Sequence, residues 1–345
     1  MNDHYLLFIN VAYSFSILRP LQDAIRQRGG TAAWFLHGLD ASLLNNDEKL
    51  LQTVDEVKQF NPKAIFVPGN WVPDFFPGVK VEIFHGFGIE KKGHFDIRGF
   101  FDLYCTHGPL TTKPFKKLSS RHGFFHVIET GWPKIDYLFQ FQPEKAWKDL
   151  YNIKKPVILY APTFSPSLCS ATILKETFGT LVKNGRYHWL VKFHPLMDKD
   201  VVISYRQMEG ENLQVVEDPD IIPCLYAADV LLTDTSSVVT EFLLLNKPVV
   251  TFRTRSLASH ILDVRKSDDL EPALTKALQH PHEFMKEAKK FIKQMHPYMD
   301  GKSSHRVLNA VDDFTTHHAH KLKPKPLNLW RKLQVRQRLK YYHLK

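Results

Sequence analysis

Short apolar runs alternate with amphipathic stretches along most of this chain of 345 residues. In the first half the runs are YLLFINV from Tyr5, TAAWFLH from Thr31, AIFVPG from Ala64, VKVEIFHG from Val79, LYCTHG from Leu103 and HVIETG from His126. Amphipathic segments at Ile17–Arg28 and Glu48–Phe60 separate the first three. A second series begins after the polar segment Phe141–Lys155: PVILYAP from Pro156, HWLVKFHP from His188, LQVVED from Leu213, DVLLTD from Asp229 and PVVTF from Pro248. A helix is predicted over Thr172–Asn184, with Gly185 as its stop. Runs without polar alternation suit strands buried on both faces, and their rhythm with helices predicts parallel sheets. The expected fold class is therefore α/β, with two Rossmann-like doubly wound domains facing each other across a cleft. Their expected bounds are 1–140 and 150–312, followed by a basic helical tail over 313–345. In such sheets ligands bind at the carboxyl ends of the strands.

Composition narrows the class. Hydrophobic residues at 43% and charged residues at 24% describe a packed globular protein. No apolar run approaches the ~20 residues that cross a bilayer, and the N-terminus lacks the basic flank of a signal peptide. Cys105, Cys169 and Cys224 show neither metal-ligand spacing nor a disulfide framework, which predicts a reducing cytoplasm.

Charge changes the picture more. Nine Lys and Arg and no Asp or Glu lie between Lys321 and Lys345; since the net charge is +10, the other residues carry +1. The same segment holds Leu327, Leu329, Trp330, Leu333, Val335 and Leu339. A basic amphipathic segment suits an anionic membrane surface, or packs back on the body with a solvated basic face. These two readings are equally open; nucleic acid, the competing polyanion, is set aside. The expected location is cytoplasmic, peripheral on the inner face of the cell membrane.

Polar residues at strand ends carry the candidate chemistry. The run Val230–Leu232 ends in Thr233-Asp234-Thr235-Ser236-Ser237 before a helical stretch closed by Asn246-Lys247-Pro248. Hydroxyl residues leading into a helix leave free N–H groups suited to phosphate. HWLVKFHP ends at Lys192, His194 and Pro195, and ILYAPTFSPS offers the hydroxyls of Thr163 and Ser165. His85-Gly86 ends VKVEIFHG, with glycines 86, 88 and 93 expected to allow close approach or positive φ. Glu90, Lys91 and Lys92 follow. A histidine there is a plausible general base, because its pKa lies near neutrality. Thr130-Gly131-Trp132-Pro133, with Lys134 and Asp136, reads as a rim loop. Asp218-Pro219-Asp220 is more often a turn than a Mg²⁺ site. Each of these residues also has an ordinary structural reading as a cap, turn or strand end.

Taken together the motifs resemble the CDP-glycerol glycerophosphotransferase family, the teichoic acid and capsule enzymes of GT-B-like fold. The matching elements are His85-Gly86 with Lys91 and Lys92, Thr130–Asp136, Tyr160–Phe164, Lys192–Pro195, Asp220 to Asp229, Thr233–Ser237 with Glu241-Phe242, Lys247-Pro248 and Asp300–Arg306. The resemblance implies transfer of a glycerol phosphate or related polyol phosphate from a CDP-linked donor to a polysaccharide or lipid-linked acceptor, with release of CMP. It implies His85 as base on the acceptor side, with Gly86, Lys91 and Lys92. It implies His194 steadying the donor pyrophosphate, with Thr163, Lys192, Thr235, Ser236, Ser237, Glu241 and Arg306 as donor-binding residues. It requires no metal or other cofactor, without excluding Mg²⁺. Two further readings stand beside it: a sugar-transferring or epimerising enzyme of the same architecture, and a non-catalytic binder of anionic polymer acting through the tail.

Overall fold

The structure is a computed structural model describing residues 3–87, 93–142, 153–218, 220–255 and 258–342. It has two compact units, Met1–Gln140 with Gln294–Lys345, and Phe141–Lys293.

The first unit is built on β1 (His4–Ile9), β2 (Thr31–Leu36), β3 (Lys49–Leu50), β4 (Ala64–Val67), β5 (Val79–Glu82), β6 (Leu103–Thr106) and β7 (His126–Glu129). They form one parallel sheet in the order β3-β2-β1-β4-β5-β6-β7. The order reverses between β1 and β4. Both strands are apolar throughout their middles because helices cover both faces. Helices α1 (Phe15–Gln27), α2 (Val54–Phe60), α3 (Pro109–His122) and α4 (Lys134–Gln140) fill the connections. The predicted helix over Glu48–Phe60 is shorter than expected. Leu50 pairs with Trp34 in the sheet, and Thr53 caps α2 by accepting from Glu56 N at 3.2 Å.

The second unit repeats the plan with β8 (Val157–Tyr160), β9 (His188–Val191), β10 (Leu213–Val215), β11 (Val230–Thr233), β12 (Val249–Phe252) and β13 (Leu262–Val264). Their order is β10-β9-β8-β11-β12-β13, parallel throughout, reversing between β8 and β11. The helices are α5 (Ala171–Lys183), α6 (Lys199–Arg206), α7 (Ile222–Ala227), α8 (Val238–Leu244), α9 (Leu270–Gln279) and α10 (Pro281–Met295), whose last two residues already belong to the first unit. Tyr160, Phe178, Trp189 and Tyr205 are fully buried at the centre of its core. Gly185, at φ +63°, follows α5 as expected.

The expected boundary at residue 312 does not hold. Residues 294–312 belong to the first unit, held there by hydrogen bonds that composition does not advertise. The buried Asp136 carboxylate on α4 accepts from Ser303 N and Ser304 N, both at 2.7 Å, and so caps α11 (Ser303–Asp313). Arg306 donates to Thr130 O and makes two 2.9 Å bonds to Asp300. Trp132 N donates to His296 Nε2 at 2.9 Å. Gly131, at φ +80°, lies so close that a Cβ there would sit 2.6 Å from Ser303 Oγ. The segments Thr130–Asp136 and Asp300–Arg306 thus clasp each other, and the expected rim loop is an internal joint with Trp132 buried.

The tail also packs on the first unit. Lys323 N donates to Gly123 O, and Lys325 pairs with Asp102 at 2.6 Å. Helix α12 (Leu329–Arg338) buries Val335 in the core, while Arg336 approaches Asp74 at 3.6 Å. Leu327, just before the helix, and Leu329 and Trp330 in its first turn are at least 70% exposed. Among the described residues no helix is long and apolar enough to span a membrane.

Candidate active site

Each sheet places polar residues at the point where its strand order reverses. In the second unit that point joins the turn after β8 to the turn after β11. Asp234, 1% exposed, accepts from Thr163 N at 2.8 Å, Ser170 N at 3.0 Å and Ser170 Oγ at 2.9 Å. Thr233 Oγ1 donates to Ala161 O at 2.6 Å. Burial raises the Asp234 carboxyl, opposed by the hydrogen bonds from Ser170 and Thr163. Asp234 was legible as part of a turn, but its role as the tie between two loops was not.

Around that tie stand several predicted donor residues. Thr163 is half-buried; Thr235 and Ser236 are half-buried and Ser237 exposed at the entry to α8. Thr235 Oγ1 accepts from Arg255 N at 3.2 Å, and Ser236 Oγ from Val238 N at 3.4 Å. Lys192 and His194 follow β9, the neighbour of β8. His194 stacks on Phe164 with ring centroids 4.3 Å apart, and its Nδ1 accepts from Leu196 N at 3.1 Å. Partial desolvation, with Lys192 adding to it, lowers the His194 pKa. The ring is therefore neutral near pH 7, with the proton on Nε2. Glu241 is only 5% exposed on α8. Arg306, expected with this group, belongs to the first unit and is engaged by Asp300.

Three motif residues have structural tasks. Lys247 donates to Leu225 O, Tyr226 O and Ala228 O, closing the carboxyl end of α7. Asp218 and Asp220 make local turn bonds, Asp220 N to Asp218 and Ile222 N to Asp220. Among the described residues no group of three or more His, Cys, Asp or Glu is placed to hold a metal ion.

In the first unit the reversal point is open. A cavity of about 340 Å³ lies at the carboxyl ends of β1, β4 and β5, walled by Asn10, Asn70, Trp71 and His85. His85 is exposed there. Gly86, expected to supply unusual backbone freedom, has no left-handed φ and open space about it. Phe84 carries that conformation instead, at φ +63°, with its ring buried against Tyr104, Phe115 and His107. A bulky residue at positive φ is held by its surroundings, and here it turns the chain just before the candidate base. Lys91 and Lys92 lie outside the described residues, as does Gly88. The basic residues that do line the cavity, Arg98, Arg331 and Arg338, went unpredicted. Distant positions with no common spacing gave no signal.

Residues 108–255 match the family model described as CDP-Glycerol:Poly(glycerophosphate) glycerophosphotransferase. Over that stretch, less than half of the chain, the sequence is similar to the members of that family. It is 28% identical over 251 residues to a teichoic acid glycerol-phosphate primase of Bacillus subtilis, covering 66% of this chain and 64% of that one. It is 32% identical over 213 residues to a teichoic acid poly(ribitol-phosphate) polymerase of Bacillus spizizenii, covering 54% and 33%. The chain thus spans less than two thirds of the length of these curated relatives. Among solved structures it resembles the wall teichoic acid polymerase TagF, with a TM-score of 0.64, 13% identity and coverage of 90% and 88%. A UDP-N-acetylglucosamine 2-epimerase described as putative, from Listeria monocytogenes, superposes with a TM-score of 0.67 at 15% identity, covering 94% and 100%. At such identities the likeness concerns the fold, two Rossmann-like domains, and leaves the chemistry to the site.

Proposed function

We propose that this protein transfers a glycerol phosphate, or a related polyol phosphate, from a CDP-linked donor to an acceptor hydroxyl during synthesis of a cell-envelope polymer. The observation that carries this reading is the family match, whose span contains both Lys192–His194 and the Thr235–Ser237 turn. The primase and polymerase relatives and a TagF structure obtained with CDPG agree with it.

In this reaction the acceptor oxygen attacks the phosphorus that bears the polyol. The bond from that phosphorus to the bridging oxygen breaks, and CMP leaves with the electron pair. The hydroxyl proton passes to His85. His194 donates from Nε2 to the pyrophosphate, and Lys192 offsets its charge. The hydroxyls of Thr163, Thr235, Ser236 and Ser237 hold phosphate oxygens. Positioning and charge neutralisation carry most of such a transfer. The exposed Leu329 and Trp330 among tail cations support docking on an anionic membrane at the cytoplasmic face, where a lipid-linked acceptor is met.

The test is a panel of CDP-, UDP- and GDP-linked donors with detection of released nucleotide. CMP from CDP-glycerol is the expected product, and His85→Ala is expected to lower turnover about 100-fold with donor binding retained. Release only from UDP-N-acetylglucosamine, or wild-type turnover by H85A, overturns the assignment.

A further inference from the structure

A second cavity, of about 560 Å³, lies at the end of the first sheet opposite His85. Lys63 and Asp102 immediately precede β4 and β6, and Lys80 stands in the first turn of β5, so the cavity sits at the amino ends of these strands. The tail contributes Lys323 and Lys325 to the same lining. Phe314 also lines it and opens a π-helical turn, Phe314–His318, a rare geometry that recurs at functional sites. The transfer proposed above uses the carboxyl ends of the strands and gives this space no task.

Four lysines and one acid line the cavity, and the acid is already engaged. Asp102 pairs through Oδ1 with Lys325 at 2.6 Å and accepts through Oδ2 from Lys80 N at 2.8 Å. Lys63 is neutralised by Asp312 at 2.5 Å. Lys80 and Lys323 remain, and among the described residues neither makes an ion pair. The Lys80 ammonium donates to Gly78 O at 2.9 Å, a dipole rather than a charge. Desolvation pulls the Lys80 pKa down to about 8, opposed by Asp102 and Asp74 and reinforced by Lys325. Lys323 is fixed by its backbone, whose N–H donates to Gly123 O at 2.9 Å. Its stem lies so close to Gly123 that a Cβ there would meet Lys323 Cδ at 2.9 Å.

Two uncompensated ammoniums beside a partly dry space are unfavourable unless an anion joins them. A phosphate monoester brings nearly two negative charges on one head, whereas a diester is singly charged. A cavity of this size lies in the range of small-ligand sites. We infer that it binds a phosphate monoester between Lys80 of the sheet and Lys323 of the tail, so that the bound anion fastens the tail to the sheet. This goes beyond the transfer and does not rest on it. Such a head has two sources, a soluble phosphate ester or a lipid of the phosphatidic acid type.

The experiment titrates the full chain by calorimetry at pH 8 with inorganic phosphate and with sulfate, a dianion that does not titrate there. Repeating it in buffers of different ionisation enthalpy counts protons. The wild type is expected to bind both anions and, with sulfate, to take up about half a proton, because an anion draws Lys80 back to its charged form. Lys80→Met is expected to weaken binding about tenfold or more and to abolish the uptake. Lys80→Arg keeps the binding without the uptake. Lys323→Met, at an exposed position, weakens binding in a chain that folds normally. Flotation with vesicles of phosphatidic acid or phosphatidylglycerol, matched in charge, separates the sources. A preference for phosphatidic acid that disappears in K80M/K323M assigns the lipid headgroup; any other vesicle result leaves the soluble ester as the occupant. No binding of either anion by the wild type, uptake that survives in K80M, or unchanged affinity in a folded K323M overturns the proposal. No donor is present, so a protein that never releases CMP from CDP-glycerol refutes the transferase reading without touching this result.

Discussion

The two sheets reverse their strand order in the same way and finish the reversal point differently. In the second unit Asp234 stitches the turns together with three hydrogen bonds. In the first unit the corresponding turns stand apart around a cavity whose far wall is imported from α12. The tied point suits a rigid cradle of N–H and hydroxyl groups, set before its ligand arrives. The open point suits a ligand that brings its own charge. A doubly wound sheet supplies the location alone; buried polar residues decide whether it is filled by protein or left for a guest.

The comparison breaks most visibly at Asp234. Asp234→Ala strands the buried Ser170 N–H and the part-buried Thr163 N–H, at about 1–3 kcal/mol each, and leaves the Ser170 hydroxyl only its contact with the Tyr160 hydroxyl. A loss of about 3 kcal/mol or more in urea unfolding is expected, with weakened CDP-glycerol binding. Stability within 1 kcal/mol of wild type would show that the tie does not hold the turn.

His296 tests the clasp that completes the first unit. Burial, then the charge of Arg306, lowers its pKa from 6.5 to about 4. Its Nε2 accepts from Trp132 N, so a proton there meets another hydrogen. Between those values the unfolded chain holds the extra proton, so stability is complete above pH 6.5 and falls as pH drops toward 4. At about 1.4 kcal/mol per tenfold, this is worth about 3 kcal/mol. His296→Gln keeps the acceptor and is expected to flatten the stability profile over that window. The slope that persists in H296Q belongs to other groups, such as the fully buried His107, whose pKa burial also lowers.

Asp136→Ala removes the cap of α11 and is expected to cost about 2 kcal/mol, read as a lower midpoint of thermal unfolding. Asn70→Ala, on the open side, is expected to change stability by less than about 0.5 kcal/mol. A larger loss there would mean that the first reversal point is tied after all.

Much of this contrast was readable in residues. Strands such as VILY and VLLT are buried on both faces, so their composition alone gives them away. Each ends abruptly at polar residues, which marked Thr163, His194, Thr235 and His85 before any coordinates. The edge strands were silent: β3 has two residues and β13 three, too short for a pattern and partly polar. The clasp was hidden for another reason. Asp136 and Ser303 look like ordinary helix-start residues, and nothing in either segment says that one caps the other across 167 positions. The arginine wall was equally hidden, because the tail's charge was visible but the face it docks with, Val335 buried and Leu339 and Tyr341 packed beside it, was not.

The first unit is also interrupted. It begins with β1 yet takes in Ser303, Ser304 and Arg306 only after an entire second unit has been threaded through. A ribosome delivering the chain in order therefore releases the inserted unit whole while its host, with Asp136 already made, still lacks the α11 that Asp136 caps. The inserted unit is free to fold early, and the host, first to be translated, closes last. A nascent chain stalled near residue 295 should present a protease-resistant second unit beside a cleavable first one.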